Sequence, residues 1–189
     1  MSSPYKGLST FTERDAEIFF GRAAETRLCL ANLRASGLTV LYAPSGVGKT
    51  SLLAAGVIPE LKKTAFRRPG QNRPEHWPVY VRSWTEDPGA LLSAGIIDEM
   101  NHQGIEAGTP EETWPSRLVR WTVAMKGPVF LILDQFEGIY TNQLDPAGVD
   151  RFIEAFGELI ALPDSGGHVS MGGWYHFVTR VCYVGLCRK

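Results

Sequence analysis

The chain has 189 residues, 44% of them hydrophobic and 21% charged, with a formal net charge of −1. That suits one globular domain with a buried core, and the near-neutral balance speaks against general nucleic-acid binding, which leaves a basic excess. No apolar run approaches the ~18 residues of a membrane span, the N-terminal MSSPYKG lacks a signal peptide's apolar centre, and Cys29, Cys182 and Cys187, in no metal or redox spacing, fit reduced thiols in a cytoplasmic protein.

Residues 23–36 are expected to form a helix, with Ala24, Leu28 and Ala31 on its apolar face and Gly37 as its stop. Leu38, Thr39, Val40, Leu41 and Tyr42 follow as a first strand. Residues 43–50, APSGVGKT, then fit the pattern GxxxxGK[ST] everywhere except the first place, where Ala43 stands for glycine. Each residue type has a physical use there. Gly46 and Gly48 let the backbone curl so that successive N–H groups face phosphate oxygens. The helix begun at Thr50 adds the partial positive charge of its N-terminus. Lys49 would reach the β- and γ-phosphates, and the Thr50 hydroxyl would ligate Mg²⁺. Pro44, Ser45, Gly46, Val47, Gly48, Lys49, Thr50 and Ser51 are therefore the candidate nucleotide contacts. A plain glycine-rich turn is the alternative, and the strand before and helix after count against it.

Pro59 should limit the helix that follows the loop. Lys62, Lys63, Arg67, Arg68 and Arg73 form a basic cluster with no acid among them, read as a solvated loop rather than a polyanion contact. Val79, Tyr80 and Val81 begin a second strand that ends near Trp84. Asp87-Pro88 supplies an N-cap and a first-turn proline for a helix that Gly104 closes. Thr109 and Glu112 form a capping-box pattern split by Pro115, from which a helix would put Leu118, Trp121 and Met125 on one face. Residues 129–133 are wholly apolar, as expected of a strand buried on both sides of a parallel sheet. Asp145-Pro146 opens an amphipathic helix carrying Val149, Phe152, Ile153, Phe156, Leu159 and Ile160 at helical spacing. A last strand is expected over residues 175–181. Strands alternating with helices predict a three-layer α/β/α fold with a mainly parallel sheet and a ligand at the strands' carboxyl ends.

A phosphate loop needs an acidic partner for its metal, and residues 128–137, PVFLILDQFE, supply one at the end of a buried strand. Asp134 would hold Mg²⁺ through its water shell, and Glu137 could polarise an attacking water. Ordinary strand-end caps are the plainer alternative for both acids. In many hydrolytic ATPases with an extra strand between loop and metal acid, glutamate directly follows the aspartate. Gln135 stands there, so any base function moves to Glu137 or is weak.

The segments PYKGLSTFTERDAEIFFGR (4–22), APSGVGKTSLLAAGVIPEL (43–61) and LILDQFE (131–137), in this order, resemble the novel STAND NTPases of bacteria. The likeness covers residues 4–162. It implies an ATP- and ADP-binding signalling switch, related to NACHT and NB-ARC domains, that oligomerises when a sensor region detects its ligand. It also implies that Phe20, Gly21 and Arg22 match a Gly-Arg motif lying beside the adenine, with a tight turn into a helix as the alternative. The family carries an arginine after its fourth strand in a Ser-x-Arg-Glu-Asp context. Residues 177–186, FVTRVCYVGL, make Arg180 the candidate phosphate-sensing residue, against a surface arginine beside a strand. The family's fifth strand, helical lid and winged helix are not read in this chain, and residues 163–189 depart from the family pattern.

The expectation is a single P-loop NTPase domain truncated after its fourth core strand. It would bind ATP or ADP with Mg²⁺, hydrolyse weakly or not at all, and self-associate or act with a longer STAND homologue, without contacting membrane. Two alternatives stay open. One is a small P-loop kinase or other phosphotransferase, which the length suits but the lack of an arginine-rich lid does not. The other is a non-enzymatic fragment that modulates a full-length homologue.

Overall fold

In the computed structural model, which describes residues 7, 9–65, 74–106, 108–109, 111–125, 127–161 and 179–186, the strands β1 (Leu38–Ala43), β2 (Trp77–Val81), β3 (Val129–Leu133) and β4 (Thr179–Leu186) form one sheet. Their order is β1-β4-β3-β2, and every pairing is parallel. The strand feeding the phosphate loop and the strand ending before Asp134 are thus separated by β4. Register aligns Leu133 with Val81 and Tyr183, and Ala43 with Leu186, so the carboxyl ends share one side of the sheet.

All five residues of β3 are buried. Alternation along a strand sends neighbours to opposite faces, and β3 does this between two cores. Val129, Leu131 and Leu133 join one with Trp77, Trp84, Leu92, Ile96, Trp121 and Phe152, built against α4 (Pro88–His102), α5 (Trp114–Met125) and α7 (Pro146–Ala161). Phe130 and Ile132 join the other with Leu33, Leu53, Val57 and Leu61, built against α1 (Ala23–Ala35) and the helix after the phosphate loop. This is the three-layer α/β/α arrangement. The helix starts at 87–88 and 145–146 fall where the proline signals put them, and the Asp87 carboxylate accepts the N–H of Ala90 at 2.8 Å. Pro115 sits in the first turn of α5, with Leu118 and Trp121 buried beneath it. No helix among the described residues is long and apolar enough to cross a membrane.

Three expectations are corrected. The buried face of α1 is Thr26, Cys29, Leu30 and Leu33, whereas Leu28 is 63% exposed and Ala24 and Ala31 face solvent with it. Both stripes have helical spacing; close packing on Gly56 selects the first, because a Cβ at position 56 would stand 2.6 Å from the Thr26 hydroxyl. Pro59 does not stop its helix. The helix runs as α2 (Lys49–Ser51), a π-helical stretch Leu52–Val57 and α3 (Ile58–Ala65). In a regular α-helix the Pro59 ring would crowd the carbonyl four residues back. The wider π turn, in which the Ile58 N–H donates to Leu53 O, relieves that crowding. Finally, β4 runs to Leu186, five residues past the strand end expected at Val181; residues 175–178 fall outside the described ones. Of the basic cluster, Lys62 and Lys63 pair with Glu13 and Glu60; Arg67, Arg68 and Arg73 also fall outside.

Candidate phosphate and metal site

The loop leaves β1 at Ala43 and turns through Gly46 (φ 81°) and Gly48 (φ 84°), both in the left-handed region where a side chain brings strain. Gly48 caps α2, and its carbonyl takes the N–H of Leu52 at 2.8 Å. The Lys49 ammonium donates to the carbonyls of Ala43 and Pro44 at 2.8 and 2.9 Å, back across the loop. Two contacts tie the chain's N-terminal part to this loop. Arg22 Nη1 donates to Val47 O at 3.0 Å, and Phe11 N donates to Ser51 Oγ at 3.1 Å.

Asp134, directly after β3, is wholly buried. Its Oδ1 accepts the Thr50 hydroxyl at 3.2 Å and its Oδ2 accepts the Tyr80 hydroxyl at 2.8 Å. Its backbone is also held: the N–H donates to Val81 O at 2.9 Å, and the carbonyl accepts Trp84 Nε1 at 2.8 Å. Burial, reinforced by the neighbouring Asp134 carboxylate, pushes the Tyr80 phenol well above its ordinary pKa, so it stays a proton donor. Gln135 follows, exposed, in the left-handed region at φ 54°. Glu137 stands at the N-terminal end of the short α6 (Gly138–Thr141). Its Oε2 is buried and meets no hydrogen-bond partner among the described residues.

These groups face one cavity of about 550 Å³, within the usual range for small-molecule sites. It is lined by the loop with Lys49, Thr50, Asp134 and Glu137, and by Ser9, Thr10, Phe11, Phe19 and Arg22. The donor set fits magnesium. Two hard oxygens, Thr50 Oγ1 and Asp134 Oδ1, stand 3.2 Å apart, and magnesium binds through one or two carboxylates plus substrate phosphates and water. No cluster of three or more His, Cys, Asp or Glu among the described residues could hold a metal alone, and magnesium needs none.

Of the residues singled out from sequence, Arg22, Ser45, Gly46, Gly48, Lys49, Thr50, Ser51, Asp134 and Glu137 meet at this cavity. Pro44 and Val47 take part through their carbonyls. Phe20 is 79% exposed and points elsewhere; Gly21, at φ 84°, turns the chain so that Phe19 and Arg22 flank the cavity instead. Arg180 is the second residue of β4, in register with Phe130. Six residues separate it from Leu186 beside Ala43, about 20 Å of strand, so the sheet does not bring it to the phosphate loop. Sequence reasoning missed Phe11, Phe19, Tyr80 and Trp84. A tyrosine in a buried strand is a usable signal, since its hydroxyl needs a partner.

A parallel sheet with β4 between the loop strand and the acid strand, carrying glycine loop and buried carboxylate at its carboxyl ends, defines a P-loop NTPase module. The family is specific: the chain belongs to the Novel STAND NTPase 1 family, whose model matches residues 4–183. No curated protein matches the chain. Among solved structures it is similar to a Walker-type ATPase of Pyrococcus abyssi, at 17% identity and a TM-score of 0.55, over 95% of this chain and 48% of that one. It is also similar to the ORC2 protein of Aeropyrum pernix, described as ADPNP-ADP complexes, at 15% identity and a TM-score of 0.49, over 93% and 40%. The chain spans less than half the length of either.

Proposed function

We propose that the chain is a nucleotide-dependent signalling switch that binds ATP or ADP with Mg²⁺ and hydrolyses ATP slowly. The observation that carries this reading is the 3.2 Å contact between Thr50 and Asp134, which closes loop and acid into one site beneath the cavity. Lys49 and the loop N–H groups take the phosphates; Thr50 and Asp134 hold the metal, which when bound draws charge off the β- and γ-phosphate oxygens. The adenine lies towards Phe19 and Arg22. Gln135 occupies the place next to the metal acid without a carboxylate, so water activation falls to Glu137.

A switch must report its occupancy. Val47 and Ser51, on the loop and the turn after it, hold the segment around Arg22 and Phe11, so phosphates entering the loop act on that segment directly. Association is the natural output. Among the described residues no strand pairs with the outer edge of β1, and Leu38, Val40 and Tyr42 are 40%, 53% and 56% exposed on one of its faces; such an edge templates pairing. Light scattering and ATP turnover on the same preparation test this. The expected result is a larger species whose proportion differs between ADP and ATP, with turnover well below the 1–10³ s⁻¹ typical of enzymes. A monomer in every nucleotide state, turning over in that ordinary range, would contradict it.

A further inference from the structure

Tyr80 and Val81 at the end of β2 (Trp77–Val81), with Trp84 three residues beyond it, immobilise Asp134. Val81 and Trp84 hold its backbone, and Tyr80 holds its side chain. We propose that Tyr80 is a positioning residue for the magnesium ion, fixing the Asp134 carboxylate by its hydrogen bond to Oδ2 so that Oδ1 alone is turned to Thr50 and the metal. The proposal rests on the reading of the site as a magnesium–nucleotide site.

The geometry divides the carboxylate's two oxygens between two tasks. An aspartate's terminal torsion is broad and two-fold, so an untethered Asp134 could present either oxygen, or both, to an ion. The 2.8 Å bond from Tyr80 removes that freedom. Thr50 then spends its proton on Oδ1 at 3.2 Å, which leaves the Thr50 oxygen lone pairs for the cation. Tyr80 itself is rigid. It sits within β2, paired with Ile132 of β3, and its ring packs at the margin of the core formed by Leu33, Leu53 and Phe130. Arg82 also reaches its hydroxyl. The metal acid is thus oriented on its Oδ2 side from β2, the strand furthest from β1. Partners of this outer-shell kind change metal affinity 10–100-fold when removed, while the direct ligands stay in place.

Tyr80→Phe deletes one oxygen and keeps the ring. The test is nucleotide affinity measured first in EDTA and then across a magnesium titration, with melting in EDTA as the check on folding. The expected result is an unchanged EDTA affinity and a magnesium midpoint raised about 10–100-fold. A merely structural tyrosine would move the melting temperature and leave that midpoint alone. In an Asp134→Asn background, adding Tyr80→Phe should shift the midpoint no further, because the carboxylate it orients is gone. A folded Tyr80→Phe chain with the wild-type midpoint would overturn the proposal while leaving the site reading intact. A wild-type chain whose nucleotide affinity ignores magnesium would overturn both.

Discussion

Lys49→Ala should abolish most of the stabilisation that a magnesium–nucleotide complex gives the wild-type chain. A ligand at about 100 times its dissociation constant stabilises the folded state by roughly 2.7 kcal/mol. At roughly 2–4 °C per kcal/mol for a domain of this size, that is a shift of about 5–11 °C in melting temperature. Lys49 is the loop's cation, and its ammonium already lies over the loop, on the carbonyls of Ala43 and Pro44. Phosphate oxygens would replace those carbonyls as its acceptors, with the stronger bonds that a charged acceptor gives. The same geometry fixes the control. Ala43 ends β1 half-buried and Pro44 opens the loop exposed, so water can reach both carbonyls when the ammonium is removed, and the mutant should melt within about 1 kcal/mol of wild type when no ligand is present. Thermal melts of both chains, with and without Mg-ATP, decide it. An equal ligand shift in the two would remove Lys49 from the site.

Glu137→Gln should leave nucleotide affinity unchanged and lower any ATP turnover by about 10²–10⁴, the usual cost of losing a general base. The substitution keeps shape and removes basicity. Glu137 lies three residues beyond Asp134, on the cavity, with one carboxylate oxygen buried and unpartnered among the described residues. The unpartnered lone pair on Oε2 is where a water proton would go. Single-turnover measurements on both chains separate this from binding. Full turnover in the glutamine form would show that the base lies elsewhere.

The phosphate loop was legible in the sequence because it is local. Eight residues carry its glycines, cation and hydroxyl, and the strand and helix signals flank it directly. The strand over residues 129–133 was equally legible, since five consecutive apolar residues between Pro128 and Asp134 admit little else. What was not legible depends on contacts across the fold. Tyr80 meets Asp134 over 54 positions and Phe11 meets Ser51 over 40, distances at which pattern says nothing. The buried face of α1 was misread for a related reason: two stripes share one periodicity, and only the bare surface of Gly56 on another helix chooses between them. Pro59 shows the limit of a single-residue rule, since a π turn beside it lets the helix continue. Arg180 shows the limit of motif transfer, because the register of β4 puts it at the strand's amino end.

Asp134 directly follows β3, and β4 separates that strand from β1. With β4 between β1 and β3, Thr50 on α2 reaches across to Asp134 at 3.2 Å. The two cores on either side of β3 clamp that strand, so Asp134 is fixed in depth by packing and in orientation by hydrogen bonds. The N-terminal segment lines the same cavity and is tied to the loop by the contacts of Arg22 and Phe11.

The most direct test is a calorimetric titration of ATP into the wild-type and Asp134→Ala chains, each with magnesium and with EDTA. The expected result is saturable one-site binding to the wild type that tightens with magnesium, and binding to the mutant that magnesium no longer improves. Asp134 supplies the only carboxylate in contact with Thr50 among the described residues, so its removal takes away the metal's anchor and leaves the phosphate loop in place. No saturable ATP binding to the wild-type chain, or an equal magnesium effect in the two, would contradict the account.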